Sequence, residues 1–142
     1  MHIDSDDHAS IVRELAKALG AIASEYTCCG GHILFHQGQA AEGVLVIRQG
    51  KVRLCAATHD VDRLVLYRIA GPGYVLGLPA LFSGEPYSLT AEAAEDCVCG
   101  FVAREQALEL LHQRFDLCFQ AADLLAHEIR SLREWQSAHS RV

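Results

Sequence analysis

From Tyr26 to Ala103 no apolar stretch runs far before a glycine interrupts it: Gly30, Gly31, Gly38, Gly43, Gly50, Gly71, Gly73, Gly77 and Gly84. Glycine supplies the tight and left-handed turns that join short strands. Short apolar runs cut at such intervals predict many strands closing into a barrel or sandwich rather than a helical bundle. The candidate strands are 32–35, 43–49, 51–57, 64–69, 89–93 and 98–102, and Val44, Val46, Val52, Leu54, Leu64 and Leu66 fit the period-two alternation of a strand. Gly50 suits a tight hairpin turn, Thr58-His59-Asp60 a polar one, and Ala70-Gly71-Pro72-Gly73 a turn with proline and glycine as breakers.

The pattern changes on either side of this region. Ile11, Leu15, Ala18, Leu19 and Ile22 recur at three- and four-residue steps, which predicts an amphipathic helix from about His8 to Ala23, with Asp6 or Asp7 as its cap. After Ala103, Ala107, Leu108 and Leu111 mark the inward side of a short helix over 104–112. A longer helix follows over 116–136. In it Cys118, Ala122, Leu125, Ile129 and Leu132 recur at four-three spacing, an a/d seam, while Phe119, Leu124 and Trp135 add apolar surface beside it. A helix with two apolar stripes needs two partners. One stripe can cover its own barrel and the other a second copy, so the five seam residues are the expected interface of a two-fold homodimer. The organisation expected is an N-terminal helical segment (1–24), a strand-rich barrel or sandwich (25–112) and a C-terminal dimerisation helix (113–142).

Composition narrows the function classes. The chain has 142 residues and a net charge of -6, whereas a nucleic-acid surface is ordinarily basic. The densest basic stretch, Arg130, Arg133 and Arg141, is interrupted by Glu134 and reads as a solvated helix face. No apolar run nears the roughly 20 residues of a membrane helix, and the polar, acidic start argues against an export signal, so the expected location is cytoplasmic. The six cysteines, Cys28, Cys29, Cys55, Cys97, Cys99 and Cys118, form no C-x-x-C pair. They read as reduced thiols, most of them small buried hydrophobes, with Cys97 and Cys99 on one face of a strand.

Two segments carry a family likeness. One runs from Gly31-His32-Ile33-Leu34-Phe35-His36-Gln37-Gly38 through Gly43-Val44-Leu45-Val46-Ile47-Arg48-Gln49-Gly50-Lys51-Val52-Arg53-Leu54. The other is Gly71-Pro72-Gly73-Tyr74-Val75-Leu76-Gly77-Leu78-Pro79-Ala80-Leu81-Phe82-Ser83-Gly84-Glu85-Pro86-Tyr87-Ser88-Leu89-Thr90-Ala91. Together they resemble the cyclic-nucleotide-binding domain of the Crp/Fnr regulator superfamily, from about residue 25 to the end of the long helix, which implies a mainly β fold: a β-roll of jelly-roll type over 25–112 with flanking helices. The second segment resembles the family's phosphate-binding cassette, in which a glycine is followed by a glutamate, a one-turn helix and an arginine. Helix-start amides and that arginine hold the cyclic phosphate, and the glutamate fixes the ribose. The resemblance makes Gly77, Leu78, Pro79, Ala80, Leu81, Tyr87, Ser88 and Thr90 the cassette residues of this chain.

The charges of that cassette are missing. Leu78 stands at the glutamate position and Tyr87 at the arginine position, while Gly77, Ser88 and Thr90 persist. An anion buried without its cation loses several kcal/mol, and even about 3 kcal/mol is more than about a hundredfold in affinity. Glu85 adds negative charge nearby; Arg53, Arg63 and Arg68 are the cations that strands could bring in. The reading is a non-enzymatic regulatory sensor that does not hold cyclic AMP tightly and takes an unknown small molecule. Binding near Gly77–Thr90 would move Phe82-Ser83-Gly84 against the long helix. The family's regulators continue into a helix-turn-helix domain, whereas this sequence stops at Val142, so direct DNA binding is not expected from it.

Other readings stay open at this point. No catalytic residues, no metal ligands and no cofactor are assigned. Haem is the alternative cofactor, with His32, His36, His112 and His127 nearest ordered elements; an iron–sulfur cluster is disfavoured because adjacent Cys28 and Cys29 point to opposite sides of a strand. A cupin-like metalloenzyme would draw on His36, Glu42 and Gly50, but His32 and His36 on one strand would lie about 13 Å apart. A genuine cyclic-nucleotide sensor and a ligand-free dimeric module that binds a protein partner complete the set.

Overall fold

The computed structural model describes residues 5–57 and 64–139. Thr58, His59, Asp60, Arg63 and Arg141, singled out above, lie outside the described residues. The described elements, in order, are α1 (Ser5–Ile11), α2 (Arg13–Ile22), β1 (Ser24–Cys28), β2 (Ile33–Phe35), β3 (Gly43–Gln49), β4 (Val52–Ala57), β5 (Leu64–Ala70), β6 (Val75–Leu76), α3 (Leu78–Ser83), β7 (Thr90–Ala93), β8 (Cys97–Ala103), α4 (Arg104–Gln113) and α5 (Phe115–His139). The strands form two four-stranded antiparallel sheets, ordered β1-β8-β3-β6 and β2-β7-β4-β5. This is the β-roll with flanking helices that the family resemblance implies, and it satisfies the barrel or sandwich that the glycine pattern predicts. Two strands went unforeseen: β1, a polar edge strand, and β6, only two residues long.

Alternation along the strands sorts the apolar residues into two cores. Leu45, Ile47, Val52, Leu54, Ala91, Ala93, Cys97 and Cys99 fill the space between the sheets. Val44, Val46 and Val102 point the other way, into a second core closed by α2, α3, α4 and α5. β3 is therefore buried on both faces, which is why it reads as an almost continuous apolar run. On β5 the alternation holds at first but its sense is reversed: Leu64 and Leu66 are exposed, and Val65 and Tyr67 are the half-buried residues.

The helix expected over residues 8–23 is two helices. The chain bends at Val12 (φ -110°, ψ 28°), so that α1 starts at Ser5 and Asp6 and Asp7 lie inside it rather than before it. Near this bend the Leu15 amide donates to the Gln120 side chain of α5 instead of an upstream carbonyl, 3.0 Å. Leu15 and Leu19 are buried as expected, but Ile22 is exposed.

The long helix α5 does carry two apolar stripes. Leu117, Ala121, Leu124 and Ser131 are buried against the rest of the chain. The expected seam is the other stripe: Ala122 and Ile129 are exposed, and Cys118, Leu125 and Leu132 are half-buried. Phe115 and Phe119, 85% and 75% exposed, extend this outward apolar surface. No described helix is long and apolar enough to cross a membrane.

Candidate functional site

The cassette segment is shaped by two glycines. Pro72 and Gly73 (φ +91°) make the turn in which the Tyr74 amide returns to the Gly71 carbonyl, 3.1 Å, the pattern of a type II turn. The chain then adds β6 to β3 and turns sharply at Gly77, whose φ of +88° is left-handed. A Cβ there would sit 2.9 Å from the Tyr87 ring and 3.2 Å from the Gly43 carbonyl oxygen, so only glycine fits. The short helix α3 starts directly after it, with Pro79 in its first turn, and ends at Gly84.

α3, β6 and the segment before β7 wall a cavity of about 250 Å³. Gly77, Pro79, Ala80, Tyr87, Ser88 and Leu89 form its cassette side; Phe35 and Leu54 its floor; Tyr67, Tyr74, Val75 and Leu76 the β5–β6 side; and Glu128, Ile129 and Leu132 of α5 the remaining side. Three of the expected cassette residues are elsewhere. Leu78 and Leu81 point into the helix-side core, and the Thr90 hydroxyl accepts the Gln37 amide at 2.9 Å. On a helix residues three apart share a face, so Leu78 and Leu81 pack together into the core while Pro79 and Ala80 between them meet the cavity.

Tyr87 is buried. Its ring stacks on Phe35 at 3.8 Å between centroids, and its hydroxyl donates to the Gly43 carbonyl oxygen at 2.7 Å. Burial raises its phenol pKa, so the proton stays on this bond.

The cavity's charged residue was not foreseen. Glu128 lies half-buried on α5, its side chain 13% exposed, and its Oε2 accepts from Tyr74 OH (2.9 Å), Arg68 Nη1 (3.1 Å) and His8 Nδ1 (3.2 Å). The His8 ring stacks on Tyr74 at 3.5 Å, and its Nε2 accepts the Val75 amide at 3.1 Å, which fixes the neutral tautomer with the proton on Nδ1. Arg68 Nη2 and the Tyr67 hydroxyl both donate to Ser131 Oγ, and Tyr67 meets the edge of Trp135. Burial alone would push the Glu128 carboxyl up; its donors outweigh that and hold it below the ordinary carboxylate range. Burial lowers the His8 pKa despite Glu128, and raises the Tyr74 phenol well above its usual value, with Glu128 adding to the rise.

A sequence signal for Glu128 existed. It falls on the same four-three spacing as Leu117, Ala121, Leu124 and Ser131, so it is a carboxylate on the inward stripe. Of the cations considered above, Arg68 is tied to Glu128, and Arg53 lies on the surface 3.9 Å from Glu92. Glu85 is exposed, and Arg130 and Arg133 form part of a solvated helix face. Ile129 and Leu132 belong both to the cavity wall and to the expected seam.

The remaining candidates do not converge. His32 bonds the Tyr26 hydroxyl at 2.8 Å, and exposed His127 sits 3.4 Å from Asp123 on its own helix. Among the described residues no group of three or more His, Cys, Asp or Glu is arranged to hold a metal ion. Cys97 and Cys99 share the inner face of β8, where Cys28 opposes Cys97 across the ladder. Burial pushes the Cys99 thiol up to about 12. Cys29 is exposed and Cys28 and Cys118 are only half-buried, so the expectation of mostly buried thiols holds for Cys55, Cys97 and Cys99 alone.

Comparison with known proteins agrees with this architecture. The chain is 29% identical over 118 residues to the cyclic AMP receptor protein of Thermus thermophilus, which covers 79% of this chain and 54% of that protein. It thus spans about half the length of that curated relative. The crystal structure of the Thermus thermophilus catabolite activator protein superposes with a TM-score of 0.77 at 25% identity, over 88% of this chain and 58% of that one. The N-terminal domain of a transcriptional regulator from Streptomyces coelicolor A3(2) gives 0.64 at 26% identity, over 91% and 87%. The profile of the cyclic nucleotide-binding domain matches residues 27–114. With the roll, the cassette turn and the long helix all in place, the chain belongs to the cyclic nucleotide-binding domain family, of the type found in Crp/Fnr regulators.

Proposed function

We propose that this chain is a non-catalytic regulatory domain whose cavity responds to a small molecule but is not built for a cyclic phosphodiester, and that it pairs with a second copy through the outward stripe of α5. Tyr87 carries this reading. At the position where the family resemblance calls for a guanidinium, a phenol ring lies stacked on Phe35 with its one proton committed to Gly43. The glutamate position is apolar as well, since Leu78 faces the core, and Pro79 removes one amide from the start of α3; the amides that remain there do not replace a bidentate arginine. Among the described lining residues Glu128 is the only charged one, so the walls present no cation to an anion. A cavity of about 250 Å³ remains open, which favours an occupant over a plug.

α3 packs on both α4 and α5, so a change at the cassette reaches the long helix directly. Such a change regulates only where the occupant binds two helix arrangements unequally. Isothermal titration of the protein with cyclic AMP tests the core of the reading. No saturable heat is expected at micromolar nucleotide; a saturable isotherm there would remove it.

A further inference from the structure

Resting on the reading of a cavity not built for a phosphodiester, we propose that its occupant is a neutral, largely apolar molecule of about two fused rings that donates one hydrogen bond, to Glu128. Size, charge and hydrogen-bond sense each come from a separate observation.

A dry apolar cavity of about 150 Å³ accepts a single benzene ring. The cavity here, about 250 Å³ and walled by Phe35, Leu54, Leu76, Pro79 and Leu89 among others, has room for a fused bicycle. Aromatic rings on several sides favour a flat partner over a branched one.

Charge is balanced before any ligand enters. Glu128 would repel an anion, but Arg68, 3.1 Å from the same carboxylate oxygen, would repel a cation. His8 is held neutral by its two bonds, so it adds no charge. An ion of either sign would lose its hydration and find no unpaired countercharge, so a neutral molecule fits best.

The hydrogen-bond sense follows from where the protons already are. Three tyrosines line the cavity, and the hydroxyl of each gives its proton to the protein: Tyr67 to Ser131, Tyr74 to Glu128, Tyr87 to Gly43. Glu128 is ionised and accepts only. All three of its named donors meet Oε2, which leaves the carboxylate able to accept again through Oε1. These walls offer lone pairs where the family's arginine and glutamate offer a cation and an anion. They select a ligand that donates an O–H or N–H.

The test is calorimetric titration of the full chain at pH 7.5 with matched two-ring probes: 2-naphthol, naphthalene, naphthalene-2-sulfonate, 1-naphthylmethylammonium and, beside them, cyclic AMP. 2-Naphthol should bind about tenfold or more tighter than naphthalene, as a hydrogen bond to a charged acceptor warrants. Both ions should fail to saturate. Glu128→Gln should flatten the naphthol preference, and Leu89→Trp, which fills the cavity from its half-exposed rim, should abolish binding while circular dichroism stays unchanged. Equal affinity for naphthol and naphthalene, tightest binding of either ion, or no binding of any two-ring probe would each overturn the proposal. Saturable heat from cyclic AMP would instead strike at the underlying reading, so the two failures are told apart.

Discussion

Tyr87 shows how one residue can close a chemistry while keeping a shape. Its hydroxyl holds the Gly43 carbonyl and its ring covers Phe35, so the turn at Gly77 is braced by a neutral group. Tyr87→Phe removes that donor from a buried carbonyl and should cost about 1 kcal/mol in urea unfolding, with the cavity intact. Leu78 plays the opposite part. It stands beside the same glycine, yet it is fully buried in the helix-side core, so Leu78→Ala should cost about 3 kcal/mol by the same measurement. Motif alignment identified both positions but could not tell which way each side chain faces; the short helix α3 decides that. Glu128 was hidden for a different reason. A glutamate on a long helix ordinarily lies in water, and only the arrival of His8, Arg68 and Tyr74 from distant parts of the chain makes it part of a wall.

At the scale of elements, glycines and alternation made most of the roll legible. β3 matches the expected 43–49 span, β2, β4, β5 and β7 shift by a residue at one end, and β8 extends by a residue at both. β1 escaped because Ser24–Cys28 is an edge strand with little apolar pattern, and β6 because two residues carry no period. The bend at Val12 has neither glycine nor proline to announce it; it is a tertiary event, made where Gln120 of α5 takes the Leu15 amide. For α5 itself both stripes could be read, though not which one the chain keeps for itself. The outward stripe gives a direct prediction. Leu125→Glu with Ile129→Glu puts like charges where a second copy of α5 would sit. The double variant should run at monomer mass in light scattering and the parent at dimer mass; equal masses would reject the seam.

For the whole molecule, His8 and Glu128 tie α1, β5 and α5 into one unit, and acid should loosen it. His8 has an ordinary pKa of 6.5 that folding lowers, so its contribution is complete above pH 6.5 and is lost as pH falls below it, because the unfolded chain takes up the proton first. Glu128 is also lowered, from 4.5, so its share persists to lower pH and is lost as pH falls through the acid range below 4.5. The melting temperature should therefore be highest near neutrality and decline in two stages on acidification. Glu128→Gln should remove the lower stage; an unaltered profile in that variant would show that acid acts elsewhere.

Ile129 and Leu132 each face two ways, toward the cavity and toward the outward stripe of α5. With a second copy seated there, a molecule inside one roll would press on side chains that the neighbour also covers. Reciprocity then makes the two equilibria inseparable: whatever factor occupancy applies to self-association, self-association applies back to occupancy. Dilution of the protein alone, with no change in solvent or temperature, would shift its apparent affinity.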